Sequence, residues 1–577
     1  MRTQVCAAVI PLRHQSERLV AALHLQAGRS TLFLAIVLSI SCSEGDRPPA
    51  VATGSHGGAL IISASGDPES LFPPIASTVP ARIIMDLVYD RLAEVGDSMN
   101  ITNDQAFEPR LARSWTWSAD SLSIAFSIDP RARWHDGTPV DAGDVTFTWR
   151  LYSDSATGSP YRASIASIDS VTARDSLTAV VWFRERSPMQ FYDAVNAMSI
   201  LPEHAVGASR GIALRSAAIA REPVGSGRFR FVRWNPGAAL EVAADTANYR
   251  GRPNLDRVIM TIAADGNAAL TRLLSGEADL LEQIPAASME QVTKDTALRL
   301  VLARGLDYNF IQFNLRHPRN RNSPHPIFAD RAVRRALTAA IDRRSIVRNA
   351  YDSLADPALG PTVRAFPTTD TALQQIPFSP DVARRTLDSL GWRDTNGDGI
   401  REKNNRPLEF SLGVPGSSKA RNTMAVLAQE QLRQVGVKVN LDLLDFTAFI
   451  DKETRGDFDA VFGGWRVEAS PGGIRQTWGS TGGTNYGAYR NAAFDALVDS
   501  ALSAADLSTR RSFFRKAYQI IIDDAPAIWF AEPKRVMAIH RRIETRGLRP
   551  DAWWTNIAEW AIPPDRRIAR DRPVTAR

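Results

Sequence analysis

Residues 111–150 read LARSWTWSADSLSIAFSIDPRARWHDGTPVDAGDVTFTWR, and this stretch decides the fold. From Ser121 to Ile128 apolar and polar side chains alternate, the period of a strand with one face buried. Asp136-Gly137 supplies a tight turn, and Asp141 stands where an N-cap opens a helix carrying Val145, Phe147 and Trp149. The stretch is a hairpin feeding a helix. His135-Asp136 has the composition of an acid/base pair, but at a hairpin tip such residues serve turn chemistry, and no catalytic role is assigned to them.

Working outward, the 577 residues suffice for roughly two to four domains. A composition 44% hydrophobic and 23% charged is that of a soluble globular chain. The formal charge of +6 is carried mainly by the ends: four Arg oppose two Glu in residues 1–45, and five Arg oppose two Asp in residues 563–577. The body has no basic face with interleaved aromatics, which excludes a nucleic-acid partner. The basic tail 563–577 reads as a frayed, solvated end from Arg566 to Arg577. Both cysteines, Cys6 and Cys42, precede the folded body. Thr31–Ser41 is apolar but falls short of the about 20 residues that span a bilayer, so it reads as a signal-peptide core. Leu38-Ser39-Ile40-Ser41-Cys42 has the form of a lipoprotein processing box, with Ser39 where Leu is expected. Two readings stand: Cys42 is lipidated, or a plain secretory signal ends near a cysteine. The long charged leader suggests a start downstream of Met1. Residues 1–42 are thus a leader and 43–58 a polar tether that lets the body swing.

Elsewhere the pattern alternates strands and helices. Ala59–Ser65 is a strand, and Pro80 starts a helix over Ala81–Ala93. Thr178–Phe183 is a strand and Pro188–Asn196 a helix. Gly225 and Gly227 form a lone G-x-G without the third glycine of a dinucleotide site. The carboxylates of Gly276-Glu277-Ala278-Asp279 read as caps and turn residues. Asp330–Asp342 is an amphipathic helix with Arg334 and Arg335 outside. Leu408–Val414, Asn422–Val435 and Val437–Leu444 form a β-α-β unit, which implies a parallel sheet. Asp457–Trp465 runs into a Gly/Ser/Thr-rich loop, Arg466–Asn485, at a strand's C-terminal end, where open α/β sheets bind ligands. Asp394–Gly399 matches the first half of a calcium loop, but Asn405 stands where a bidentate Glu is required. A turn is the favoured reading there, and neither metal nor cofactor is implied. No G-x-S-x-G, H-E-x-x-H, C-x-x-C or P-loop is present, and of the eight His only His317 and His325 are near each other, so no enzyme is expected.

The order Trp-Ser-x-Asp, strand, Trp-His-Asp-Gly, Asp-Val-x-Phe-x-Trp resembles the signature of the extracytoplasmic solute-binding proteins of family 5. The resemblance runs from about Leu60 to Trp560 and takes in Pro223–Trp234, Gly276–Asp279 and the Gly391–Ile400 turn. It implies an α/β, two-lobed periplasmic-binding-protein fold of class II with an extra subdomain in the first lobe. Residues 59–100, 222–307 and 526–562 would form the first lobe, 101–221 its subdomain and 308–525 the second lobe. Tyr308–Leu315 would carry the chain between lobes, and Pro526–Phe530 would return it. The implied function is capture of an oligopeptide or dipeptide for an ABC permease by a monomer outside the cytoplasm. A metal chelate, an opine or an oligosaccharide, or a receptor role without an importer, stand as alternatives.

The resemblance also suggests site residues. In peptide-binding relatives an Asp three residues beyond the Trp of G-W-x-x-D meets the ligand's ammonium; here the run is Gly464-Trp465-Arg466-Val467-Glu468. Glu468 is either that anchor or a surface carboxylate paired with Arg466. Trp465 packs on the ligand or in the core. Lys419 and Arg421 lie near where dipeptide-binding relatives carry an Arg for the ligand carboxylate. Ser77, Thr78 and Val79 either offer backbone groups to an extended ligand or form an ordinary surface loop.

Overall fold

In a computed structural model, residues 56–571 except 286, 287 and 469 are described. Cys42, the leader, most of the tether and the tail beyond Asp571 lie outside them. The described residues form one compact unit.

Two mixed sheets organise the unit. The first has seven strands in the order Leu298–Ala303, Arg535–His540, Leu280–Leu281, Ala59–Ala64, Arg257–Ile262, Ala239–Ala244, Phe229–Asn235. Ala59–Ala64 runs parallel to both neighbours, with Ile62 opposite Met260 and Leu280. The second sheet has six: Ala355–Pro357, Ala527–Pro533, Asp307–Phe313, Ala460–Arg466, Glu409–Pro415, Lys438–Leu444. Its last three strands are mutually parallel, as the β-α-β reading requires. Asp307–Phe313 is buried almost throughout, Asn309 and Gln312 included, because both of its faces are covered. Ile311 and Phe313 enter one core with Phe462 and Phe530, and Tyr308 and Phe310 enter another with Trp478 and Trp529.

The 111–150 stretch folds as its pattern dictates. Ala112–Trp117 and Ser123–Ile128 pair antiparallel and are completed by Thr178–Phe183 and Ile168–Asp175 into a four-stranded sheet. Asp141 caps helix Ala142–Ser153 by accepting from the Gly143 and Asp144 amides, and Asp144 reciprocates to the Asp141 amide. Asp144 also accepts from Trp134 Nε1 at 3.0 Å and the Glu203 amide at 3.0 Å, so this buried carboxylate ties hairpin to helix. His135 does not pair with Asp136. Its Nδ1 accepts from the Gly225 amide at 3.2 Å, which leaves Nε2 to donate to the Gly227 carbonyl at 2.9 Å. Asp136 pairs instead with His204 at 2.7 Å. The two glycines are required by approach: a Cβ on Gly225 would lie 1.9 Å from the Val88 carbonyl oxygen.

Several expectations are corrected. The helix starting at Pro80 spans Val79–Val88 and stops short of Ala93, because the Gly227 amide takes the Val88 carbonyl at 2.8 Å. Ala527–Pro533 does not return to the first lobe; it pairs with Asp307–Phe313 in the second sheet, and the return follows at Lys534. Arg334 is buried rather than outside. Its guanidinium donates to the Asp524 and Ala525 carbonyls and so caps the C-terminus of helix Leu507–Asp524. Asp279 is no turn residue: fully buried, it accepts from the Ile61 amide, Arg542 and Arg570. The basic tail is docked through Asp571, which pairs with Arg542 at 2.7 Å and accepts from the Ala59 amide at 2.9 Å. The loop 466–485 contains a short helix, Gly473–Trp478. Among the described residues no helix is long and apolar enough to cross a membrane.

Candidate functional site

Strand directions locate the site. Parallel strands of the second sheet end at Pro415, Leu444 and Arg466, and at the same edge Asp307 begins its strand and Pro533 ends its own. In the first sheet the corresponding edge holds Ala64, Ile262, Leu281, Ala303 and Arg535. The chain crosses between the sheets through Arg304–Leu306 and through Lys534, which join these two edges. The carboxyl ends of parallel strands in both halves therefore border one seam, where open α/β sheets gather ligand groups. The halves also touch: Met99 of the first joins the second's core, and Met189 Sδ lies 3.6 Å from Arg510 Nη1.

The seam carries charge of both signs. Asp307 meets Arg466 at 3.5 Å and is also faced by Arg535 and Arg421. Arg535, on the first half, lies 3.5 Å from Glu282, and its Nη1 is buried without a hydrogen bond. Burial pulls Arg535 below the usual arginine range against the nearby carboxylates. Asp307, Glu282 and Arg535 were not legible as site residues: each takes its place from a strand terminus, which no short motif marks.

The four residues expected from the second half come to this edge. Trp465, next to last in the strand Ala460–Arg466, is half-buried, with its ring stacked 6.3 Å from Tyr486. Glu468 follows two residues past that strand and is exposed. Its expected alternative partner is otherwise engaged, since Arg466 pairs with Asp307. Glu468 faces Tyr192 of the first half closely enough to help hold that phenol above its ordinary range, after burial. Lys419 opens helix Lys419–Arg433 and is exposed. Arg421, one turn in, is half-buried and makes no hydrogen bond or close ion pair among the described residues. Burial depresses its pKa, while Tyr351, Glu453 and Asp307 oppose that shift. Asn309 and Gly464 stand beside it; a Cβ on Gly464 would lie 2.6 Å from Arg421 Nη2. A half-buried guanidinium without a partner is suited to a carboxylate.

Ser77, Thr78 and Val79 follow the strand Ala59–Ala64 on the first half's edge. Two of their backbone amides already have a partner within the loop. The Ser77 and Thr78 amides donate to Glu69 Oε1 at 2.5 and 2.8 Å, and Thr78 Oγ1 donates to Glu69 Oε2. The sequence signal for this was close at hand, a Glu eight residues before Ser77. Val79 begins its helix half-exposed.

Asp394, Asp398 and Glu402 have carboxylate oxygens near one another. Asp394 and Asp398 accept local amides, from Gly397, Gly399 and Ile400, and Glu402 accepts from Thr395. These are the bonds of a turn.

Two α/β halves linked by adjacent crossings, with opposed charges at their shared seam, define a two-lobed solute-binding protein. The chain belongs to the bacterial extracellular solute-binding proteins, family 5, whose description matches residues 106–486. It is 27% identical over 538 residues to the oligopeptide-binding protein AppA of Bacillus subtilis, covering 92% of this chain and 96% of that one. The structure of AppA from Bacillus subtilis in complex with a nonapeptide is similar with a TM-score of 0.67 at 26% identity, covering 88% and 99% of the two chains. The ABC transporter substrate-binding protein CtaP from Listeria monocytogenes shares the fold with a TM-score of 0.75 at 24% identity, covering 88% and 99%.

Proposed function

We propose that this chain is the substrate-binding component of an ABC importer and that it captures peptides. The observation that carries this reading is the seam itself, where strand ends of both halves meet around charges of both signs. An extended peptide offers one main chain common to all sequences, and two opposite terminal charges. Glu468 takes the ammonium, and Arg421, with Lys419 outside it, takes the carboxylate. The similarity to AppA, which was solved with a nonapeptide, supports this ligand class. Trp465 with Tyr486 lines the approach to Glu468. Ser77 and Thr78 join the site when a ligand strand displaces the Glu69 carboxylate from their amides.

Closure follows from linkage. A ligand touching both halves stabilises the closed arrangement only by contacts that the open one lacks, and groups from both halves at one seam supply them. The chain performs no chemistry on its ligand in this reading. Cys42 carries an acyl anchor that holds a monomer at the membrane face, within reach of the permease.

Mass spectrometry of the ligand retained on purification tests the class directly; a metal chelate or an oligosaccharide in place of peptide would overturn it. Glu468→Gln is expected to weaken peptide binding by about 1.5–3 kcal/mol, the worth of a hydrogen bond to a charged group. Isothermal calorimetry showing unchanged affinity would remove Glu468 from the site.

A further inference from the structure

At the end of the first sheet remote from the seam, a shallow basin of about 820 Å³ is bordered by Arg299, Arg541, Arg542, Glu544 and Arg566. Its charge is only half compensated from within. Arg299 donates to Thr545 Oγ1 at 2.8 Å and to the Ile543 carbonyl, and Arg541 donates to the Thr296 carbonyl. None of these acceptors is charged. Arg566 meets Glu544, the one carboxylate of the basin, at 3.5 Å, and both side chains are at least half-exposed. Arg542 is neutralised by Asp279 and Asp571, which leaves Arg299 and Arg541 without a carboxylate among the described residues. Exposed Ile568 stands between Arg566 and Arg570 in sequence and adds an apolar side chain to this end.

The basin lies where the tether enters. Arg542 donates to the Ala59 carbonyl at 2.9 Å, and Ala59 is the first residue of the strand that continues the tether. Residues 43–55 add 13 positions before His56, the first described residue, a reach of at most about 45 Å when fully extended. Any surface that holds Cys42 is thus presented to this basin at high local concentration.

We infer that this basic end is a docking surface for the anionic phosphodiester headgroups of the membrane to which the chain is tethered. The placement rests on the reading of Cys42 as the anchor; the charge of the basin does not. Headgroup contact sets the first sheet's strands on end, with the seam one strand length above the bilayer and open to solvent. Weak contact of this kind parks the molecule for capture and is released for delivery, since surface charge pairs are screened by salt.

The test uses an unlipidated Ser43–Arg577 chain, so that failure of the Cys42 reading leaves it unaffected. Co-sedimentation is expected with vesicles containing phosphatidylglycerol and not with pure phosphatidylcholine, falling as salt rises. Arg541→Ala and Arg566→Ala are each expected to lower that partition about fivefold, as basic residues near an anionic surface do, with peptide binding and thermal unfolding unchanged. Arg299→Gln gives a third arm should either variant unfold early. Equal partition of parent and variants, or no recruitment by the anionic vesicles, overturns the inference. So does arginine-dependent stabilisation by inorganic phosphate without vesicle binding, which would mark a site for a free anion instead.

Discussion

Glu453 sits near the end of helix Phe446–Arg455 with 6% of its surface exposed, and its carboxyl has no hydrogen-bond partner among the described residues. Gly463 faces it: a Cβ there would lie 3.4 Å from Glu453 Oε1 and, more tightly, 3.1 Å from the Phe310 ring. Burial pushes the carboxyl up to about 7, with Arg421 pulling the other way. The folded protein therefore holds this proton more tightly than the unfolded chain does. Its contribution to stability is complete below the ordinary glutamate range near 4.5 and is lost as pH rises through about 7. The whole effect is about 3 kcal/mol, because each tenfold gain in proton affinity is worth about 1.4 kcal/mol. Glu453→Gln should accordingly flatten the pH dependence and stabilise the protein in weak alkali. Denaturant midpoints on either side of neutrality measure this, and parallel curves for parent and variant would show that the carboxyl is solvated.

Among elements, those framed by local chemistry are legible in the sequence and those closed by distant partners are not. Asp141 caps the helix that the pattern assigns to it, and Asp330 caps Arg331–Ala339 within the helix expected there, because an N-cap and the amides it binds are two or three residues apart. Helix Phe446–Arg455 escapes the pattern although Asp445 at its start and Gly456 at its end, φ +68°, frame it in the usual way. Arg334 and Asp279 depart from expectation for a different reason. Their partners lie 190 and 263 residues away, and a charged side chain on a polar background gives no sign of such pairing. The same holds for the tail, whose composition is that of a solvated end while Asp571 is buried against Arg542 and Ala59. Ending the chain after Ala569 removes both Arg570 and Asp571 and leaves Arg542 one carboxylate short. Breaking a buried ion pair in this manner costs about 3–5 kcal/mol. Thermal unfolding of the shortened chain should show the loss, and an unchanged midpoint would mean that the docked tail contributes nothing.

At the scale of the molecule, the sequence carries the two-lobed plan through its signature and its β-α-β unit, but the seam can be drawn only once strand directions are known. As candidates, Glu468 is reachable from a motif and Arg421 from its place after a strand; Asp307, Glu282 and Arg535 are not, since they meet only because two crossings lie side by side. Gly305 is where those crossings touch. A Cβ at this position would fall 1.8 Å from the Pro533 carbonyl oxygen, a backbone atom that cannot swing aside as a side chain would. Gly305→Ala must therefore spread the two segments that join the halves. Overpacking of this kind costs about 1–3 kcal/mol, and here the strain falls on the connection about which the halves move. If closure turns on these crossings, the variant should bind peptide more weakly while each half keeps its own core, and small-angle scattering should lose the compaction that ligand induces in the parent. Retained compaction with parental affinity would place the hinge elsewhere.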